Sequence, residues 1–351
     1  MLKWRSTIVS PEGTIQDAIN SLTDSGMQIC LVCDVNGILL GTVTDGDIRR
    51  GIIQSLPLDA KIRQVMNPAP HVSVEGSDDS TNIMLMSTFG VRAVPIVDTD
   101  RKVVGLRIQN DIMGFDQPKD NPVVIMAGGL GKRLRPVTDD LPKPLVSVGN
   151  KPLLETIIQG LQSHGFYNIY ISVNYKSEMI KDYFGNGDSL GVSIRYLEED
   201  ERMGTAGALR LLPREQKHPV IVMNGDLLTS VNFEALLDYH LQQKSSATMC
   251  VRQYEFQIPF GVIDIDHHEI TGISEKPIKQ YLVNAGIYVL NPDMLEYIPP
   301  GGLFDMTELF GAILREKKMT AVFPIREYWL DVGRMTDLEK ANWAYEKEFS
   351  S

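Results

Sequence analysis

The sequence predicts an α/β protein: a mostly parallel, mixed sheet with helices on its faces, preceded by a smaller α+β module built twice. Three observations predict it. From Val123 onward, short apolar runs alternate with stretches of helical periodicity, the pattern of strand–helix units that feed a parallel sheet. The first of those runs, Val123 to Met126, empties into a glycine-rich turn at the end of the strand, where such sheets bind ligands. Ahead of it, two segments of similar layout follow one another, as in an internal repeat whose halves cannot bury their faces alone.

In the first repeat, Thr14 to Leu22 places Ile15, Ala18, Ile19 and Leu22 at helical spacing. Ile29 to Asp34 reads as a strand, Asn36-Gly37 as a tight turn and Leu39 to Thr44 as the returning strand. Asp45-Gly46-Asp47 then opens a helix. In the second, Asp79 to Phe89 is the helix, Ala93 to Asp98 and Val103 to Ile108 are the strands, and Asn110-Asp111 opens the next helix. Asp34 matches Asp98, and Asp47 matches Asp111. By itself, an acid at such a place can simply cap the helix by accepting its free amides.

The order helix, strand, turn, strand, T-x-x-D, helix resembles a CBS domain, and two in tandem resemble a CBS pair, here residues 1–57 and 58–116. The resemblance implies a regulatory site for AMP, ADP or ATP, with Thr44 and Asp47 holding ribose, and a second at Asp111. The second departs from the motif, because Ile108 stands where Thr would. The resemblance also implies a homo-oligomer, with a dimer favoured. Gly114, Pro118, Pro122 and intervening polar residues then mark a boundary, with the linker at 117–122.

Gly128, Gly129 and Gly131 let the backbone turn sharply after Met126 and approach a ligand. Lys132, Arg133, Arg135 and Lys143 follow, so exposed amides and cations gather at one strand end, an anion site. Arg133 stands where a Walker A loop needs Ser or Thr, and Leu134 stands where the dinucleotide fingerprint needs its last glycine. The glycines alone leave an ordinary turn with solvated charges as the alternative.

Further along, Pro152 suits a helix first turn, and Leu153, Leu154, Ile157, Ile158 and Leu161 form that helix's apolar face. Asn168 to Val173 is a strand, Ser177 to Phe184 a helix and Val192 to Leu197 a strand. Gly204-Thr205-Ala206-Gly207-Ala208-Leu209 opens the next helix; its glycines suit a planar ring, a phosphate or merely close packing. Pro219 to Met223 is a buried strand ending in Asn224-Gly225-Asp226, and Tyr328 to Gly333 is another strand-like run, carrying Asp331. Converging carboxylates would hold a hard divalent cation together with phosphate oxygens; read alone, Asp226 is equally a turn residue or a cap. Amphipathic helices start at Phe304 to Phe310 and span Thr336 to Glu348, the latter with a capping-box match at Thr336-x-x-Glu339.

The string Gly128-Gly129-Leu130-Gly131-Lys132-Arg133-Leu134-Arg135-Pro136, followed by Pro142-Lys143-Pro144, resembles the signature of sugar-1-phosphate nucleotidyltransferases. In family order come Gly204 to Leu209, Asn224-Gly225-Asp226, Pro259 to Ile263, Glu275-Lys276-Pro277, Asn284 to Tyr288 and Trp329-Leu330-Asp331-Val332-Gly333. The resemblance implies a Rossmann-like catalytic domain over residues 123–351. It implies nucleotide binding by Ala127, Gly128, Gly129, Gly131, Lys132, Arg133, Gly204, Thr205 and Asp226, and sugar-phosphate binding by Gly261, Glu275, Lys276 and Asn284. Arg133, Lys143 and Asp226 would be catalytic, and Asp226 and Asp331 would hold Mg2+. The implied reaction joins a nucleoside triphosphate to a sugar-1-phosphate and releases pyrophosphate.

A CBS pair ahead of this domain resembles bacterial enzymes of legionaminic-acid-type surface-sugar pathways, which favours GTP with glucosamine-1-phosphate or mannose-1-phosphate. Thymidylyl- or uridylyltransferases acting on glucose-1-phosphate share every motif quoted and stand as the alternative. A catalytically silent nucleotide sensor is the rival of another class, opposed by the complete set Arg133, Lys143, Asp226 and Asp331.

A net charge of -11 argues against a general nucleic-acid binder. No apolar run is long enough to span a membrane, and Met1 to Ser10 do not read as a secretory leader, so a cytoplasmic protein is expected. Cys30 and Cys33 form C-x-x-C within a strand, where positions three apart point to opposite faces; buried structural thiols are expected rather than a redox or zinc pair.

Overall fold

The computed structural model describes residues 3–109, 112 and 118–349. The chain forms two compact units, divided between Gln117 and Pro118.

In the first unit, β1 (Ile8–Val9) pairs in parallel with β2 (Ile29–Cys33), which pairs antiparallel with β3 (Leu39–Thr44). The second half repeats this with β4 (Ser73–Val74), β5 (Ala93–Val97) and β6 (Val103–Ile108). Helix α1 (Ile15–Ser25) starts at a capping box, Thr14 with Asp17, and stops at Gly26 in the left-handed conformation. Its Ile15, Ala18 and Leu22 pack with Cys30, Val32 and Val43, and with Ile48 of α2 (Asp45–Ile53). The opposite face of β2, Ile29, Leu31 and Cys33, packs with Val97 and Leu106 of the second half, whose helix is α3 (Asp79–Phe89). The hairpins also meet turn to turn: Leu39 N–H donates to the Arg101 carbonyl, and Val103 N–H to the Gly37 carbonyl, each at 3.0 Å. The halves therefore bury each other's apolar faces, the physical meaning of the repeat. Cys30 and Cys33 lie in different cores, and burial pushes the Cys33 thiol up to about 11.

The second unit is built on β7 (Val123–Met126), β10 (Asn168–Val173), β11 (Ser193–Glu198), β12 (Val220–Asn224), β14 (Ala247–Gln257), β17 (Ile278–Leu290) and β18 (Thr320–Pro324). Short ribbons, β8 (Ser147–Val148) with β9 (Lys151–Pro152), β13 (Leu227–Thr229) with β19 (Trp329–Asp331), and β15 (Val262–Asp266) with β16 (Glu269–Ser274), attach to it. The sheet order is β11-β10-β7-β12-β17-β14-β18. β11, β10, β7 and β12 run parallel, β17 runs antiparallel between β12 and β14, and β18 is parallel to β14. The chain moves outward from β7 to β10 and β11, then returns to the other side of β7 as β12. That reversal opens a crevice at the C-terminal ends of the strands.

Val123 and Ile125 face one helical layer, made by α4 (Leu153–Ser163), α7 (Phe233–Gln242) and α9 (Met335–Glu348). Val124 faces the other, where α8 (Met306–Arg315) packs. α4 buries Leu153, Leu154, Ile157, Ile158 and Leu161, the face its spacing predicts, although Pro152 sits just before its first turn. α5 (Ser177–Phe184) has the predicted bounds. The last helix differs at its start: Arg334 N–H donates to Asp337 Oδ2 at 2.9 Å, so the cap lies ahead of Thr336-x-x-Glu339. The chain enters this helix three residues after β19, which makes Asp337 the third helical position instead of Glu339. Among the described residues, no helix is long and apolar enough to cross a membrane.

Candidate active site

Main-chain pairing builds the site. Asn224, the last residue of β12, lies opposite Met126, the last of β7. Gly225 N–H donates to the Met126 carbonyl at 2.9 Å, and a Cβ on Gly225 would sit 2.9 Å from that oxygen. Only glycine allows this approach, which sets Asp226 beside the start of the glycine loop. β13 then pairs antiparallel with β19, with Leu227 opposite Asp331, and Val332 N–H donates to the Asp226 carbonyl at 2.9 Å. The carboxylates of Asp226 and Asp331, far apart in sequence, are thereby held at the base of one ribbon.

The cations arrive from the other side. Gly131 takes a left-handed turn and leads into the 3-10 turn Lys132–Leu134, anchored by buried Leu134. A Cβ on Gly333 would lie 3.3 Å from Arg133 Nη2 and 3.4 Å from Asp331 Oδ1, so Arg133 and Asp331 flank that glycine. Lys143 begins a second 3-10 turn, fixed by buried Pro144 and Leu145, and its Nζ donates to Asp226 Oδ2. The Lys143 side chain is 11% exposed and that of Asp226 26%. Burial pushes the Asp331 carboxyl above the usual range, and the Asp226 carboxylate adds to the effect; Lys143 and Arg133 oppose it. The four predicted residues thus form one electrostatic cluster in the crevice. Among the described residues, no group of three or more His, Cys, Asp or Glu side chains could hold a metal unaided. A cation at Asp226 and Asp331 would complete its shell with phosphate or water oxygens.

Other expected residues fare differently. Ala127 N–H donates to the Ser172 carbonyl at 3.0 Å; after it Gly128 is half-buried and Gly129 exposed. Gly204 and Thr205 open α6 (Gly204–Gly207), and the amides after Gly204 are engaged. Thr205 N–H donates to Asp305 Oδ1 at 2.9 Å, and Ala206 and Gly207 N–H donate to the Phe304 carbonyl at 3.0 and 2.9 Å. Three of the four amides at this helix start thus donate to the turn ahead of α8, which favours the planar-ring or close-packing readings of the segment over a phosphate. Gly261 lies against Glu275, whose Oε2 would be 3.1 Å from a Cβ there. Glu275 and Lys276 are exposed, and Lys276 has a left-handed backbone (φ 47°). Asn284 is internally bonded: Nδ2 donates to Tyr288 Oη at 2.8 Å and Oδ1 accepts from Gly286 N–H at 2.9 Å.

In the first unit, Thr44 and Asp47 form a capping box for α2. Asp47 Oδ2 accepts from Thr44 N–H at 2.8 Å and Thr44 Oγ1 at 2.6 Å, and Oδ1 accepts from Arg50. The cap reading holds for Asp47; any ribose would share this carboxylate with three donors already on it. Asp111 lies outside the described residues.

Sequence reasoning gave no role to Glu199, Ser172 or Asp305, and none to Trp329 although that residue stands in a quoted motif. Trp329 Nε1 donates to the Ala285 carbonyl at 2.9 Å and locks β19 to β17. Glu199 could have been found, since an acid just past the end of a parallel strand obeys the rule that pointed to Asp226.

The Nucleotidyl transferase family profile matches residues 122–348. The chain belongs to this family. Residues 5–54 match the CBS domain. Among relatives of the transferase, mannose-1-phosphate guanyltransferase of Pichia angusta is 35% identical over 226 residues, 61% of each chain. The chain thus spans about three fifths of the length of the curated relatives it matches. Of solved structures, HddC from Yersinia pseudotuberculosis complexed with GMP-PN is 26% identical with a TM-score of 0.51, covering 64% of this chain and 99% of that one. A Bacillus anthracis protein carrying a provisional glucose-1-phosphate thymidylyltransferase name is 25% identical with a TM-score of 0.52, covering 63% and 94%.

Proposed function

We propose that this nucleotidyl transferase joins a nucleoside triphosphate to a sugar-1-phosphate, releasing pyrophosphate, and that the triphosphate is GTP with mannose-1-phosphate or glucosamine-1-phosphate. The observation that carries the reaction class is the gathering of Arg133, Lys143, Asp226 and Asp331 in the crevice beside the glycine loop. The guanyltransferase names of the relatives and the GMP-PN complex of a structural neighbour support the base. The provisionally named thymidylyltransferase keeps glucose-1-phosphate with dTTP or UTP as the second reading.

A phosphate oxygen of the sugar-1-phosphate attacks the α-phosphorus; the new P–O bond forms as the bond to the β-phosphate oxygen breaks, and pyrophosphate leaves. A phosphate ester is ionised at neutral pH, so no general base is needed, and catalysis is alignment plus charge neutralisation. Arg133 clamps the triphosphate and neutralises the departing pyrophosphate, a task its planar fork suits. Lys143 neutralises the α-phosphate. Lys276 holds the attacking phosphate, and Glu275, Gly261 and Asn284 face the sugar. Gly128, Gly129 and Gly131 let the main chain reach the nucleotide, with Ala127 and Lys132 beside it; Gly204 and Thr205 present a flat wall to the base or ribose.

Asp226 and Asp331 fit magnesium, because the β13–β19 pairing sets two carboxylates, hard oxygen donors, at the base of one ribbon. Bound there, the ion would neutralise phosphate oxygens. The first unit is read as a regulatory adenosine-nucleotide or dimerisation module, at Thr44, Asp47 and Asp111, in a cytoplasmic enzyme.

A pyrophosphate-release assay over a panel of triphosphates and hexose-1-phosphates tests this. Turnover with GTP and mannose- or glucosamine-1-phosphate is expected. Turnover confined to dTTP or UTP with glucose-1-phosphate would replace the substrate, and none with any pair would leave the silent sensor.

A further inference from the structure

Beyond Val251, β14 and β17 leave the sheet together. β18 ends at Pro324, opposite Val251, and β12 meets β17 only from Met223, opposite Ile287. The two strands run on as a two-stranded ribbon, from Arg252 opposite Val283 to Gln257 opposite Ile278, and β15 with β16 prolongs it to the turn at His267-His268. Its bonds run between its own strands: Ile258 N–H donates to the Pro277 carbonyl at 3.1 Å, and Gln280 Nε2 to Glu255 Oε1 at 2.9 Å. No residue in 253–284 is buried. A two-stranded ribbon is marginal in water unless one of its faces is covered. This one has an apolar face to cover. Ile263 lies opposite Ile273 and Ile265 opposite Ile270, with a bulge between the two pairs, so all four share a face near the tip, each 46% to 69% exposed. Asp264 and Ser274 point the other way. Nearer the sheet, Tyr254, its partner Tyr281 and Phe256 share a face and are exposed as well.

We propose that this ribbon is a self-association surface: a second copy of the chain covers the isoleucine face and the exposed aromatics behind it, ribbon packed on ribbon about a two-fold axis. Together these seven side chains expose on the order of 800 Å2, about what one partner gives to a stable interface. An isologous contact needs a patch that matches itself, and four identical side chains in two cross-strand pairs form one. The charges framing them at the tip are acidic, Asp264, Asp266 and Glu269, which repels an anionic membrane surface or a nucleic acid. An antiparallel two-fold sets each acidic tip beside the other copy's Lys279, which shares the aromatic face as the partner of Phe256. The contact has a functional consequence, which rests on the reading of Gly261, Glu275 and Lys276 as sugar-phosphate residues. All three lie where β14 and β17 pass into β15 and β16. Covering the ribbon steadies that half of the site, whereas the glycine loop and Arg133 follow β7, in the body of the sheet.

Sedimentation equilibrium of the full chain, with far-UV circular dichroism as a check on the fold, tests the proposal. Ile265→Lys combined with Ile273→Lys is expected to halve the molar mass relative to wild type, whether the wild type is a dimer or, through further contacts, a tetramer. Both side chains are exposed in the single chain, so the dichroism should not change. Ser274→Asp, on the opposite face of the same ribbon, should keep the wild-type mass. An unchanged mass in the isoleucine variant, a wild type that sediments as a monomer throughout the micromolar range, or an equal loss of mass in Ser274→Asp would each overturn the contact. If the double variant does not fold, Ile265→Ser alone must weaken association about tenfold or more, or the proposal fails. In steady-state kinetics the dissociated variant should raise KM for the sugar-1-phosphate about fivefold or more and hold the triphosphate KM within about twofold. Unchanged KM values in a variant shown to be dissociated would overturn the link to the sugar-phosphate residues. A wild-type chain that releases no pyrophosphate from any substrate pair defeats the reading of the site instead, while the mass still decides the contact, so the two failures are distinct.

Discussion

Lys143 Nζ rests on Asp226 Oδ2, joining the turn after the glycine loop to the end of a neighbouring central strand. The pair is largely screened from water, and Asp331 and Arg133 lie within its electrostatic reach. An ion pair so placed is preorganised for charge that arrives with substrate. Each partner is expected to act on the phosphates, so Lys143→Ala and Asp226→Asn should each lower kcat by about 100-fold or more at saturating substrates and magnesium. The double variant should lose much less than the product of the two, because residues acting as a unit are not additive. Near-wild-type turnover in either single variant would remove these roles.

How much of this site could be read from the sequence depends on the range of the contact that makes it. Local signals carried through: the face of α4, the bounds of α5 and the opposite orientation of Cys30 and Cys33 follow from periodicity over a few residues. The meeting of Asp226 with Asp331 depends on β13 pairing with β19, a contact with no local signature, so only resemblance supplied it. The start of α9 slipped from Thr336 to Arg334 because several polar residues there can cap, and the entry angle set by β19 chooses among them. The amides of Thr205, Ala206 and Gly207 looked free until Phe304 and Asp305 came to cover them.

Gly149 tests packing away from the chemistry. Its backbone is left-handed (φ 66°), and a Cβ there would fall 2.1 Å from Tyr345 Cδ1, a buried ring of α9. Its N–H also donates to Asn342 Oδ1 at 2.8 Å on the same helix. Gly149→Ala combines backbone strain with an overlap that the ring can relieve only by leaving its pocket. A loss of about 2–4 kcal/mol in urea denaturation is expected. A loss below about 0.5 kcal/mol, the range of ordinary surface changes, would mean that α9 is not docked on this turn.

Asp47 separates structure from regulation in the first unit. Its capping box should make Asp47→Ala cost about 1 kcal/mol. If the same carboxylate also holds ribose, the variant loses any effect of AMP or ATP while basal turnover stays intact. Calorimetry decides between cap alone and cap plus ligand: unchanged adenosine-nucleotide binding in Asp47→Ala leaves only the cap.

His240 gives the fold a pH dependence. It is buried on α7, with Nδ1 2.8 Å from Thr248 Oγ1 and Nε2 3.0 Å from Asn291 Oδ1. The Asn291 amide nitrogen donates to the Ser245 carbonyl at 3.1 Å, which turns its oxygen toward the ring. Nε2 therefore carries the proton, and Nδ1 accepts from the Thr248 hydroxyl, a neutral tautomer satisfied on both sides. Burial lowers the His240 pKa below its ordinary 6.5, and the hydrogen bond to Asn291 opposes only part of that. The unfolded chain thus takes up a proton before the folded one does. Stability from this site is intact above pH 6.5 and falls as the pH drops from there through the lowered folded value. Urea denaturation at pH 7.5 and at stepwise lower pH should show wild type losing stability more steeply than His240→Gln, which keeps polar contacts but cannot titrate. Parallel pH profiles for the two proteins would show that His240 is not held neutral by the fold.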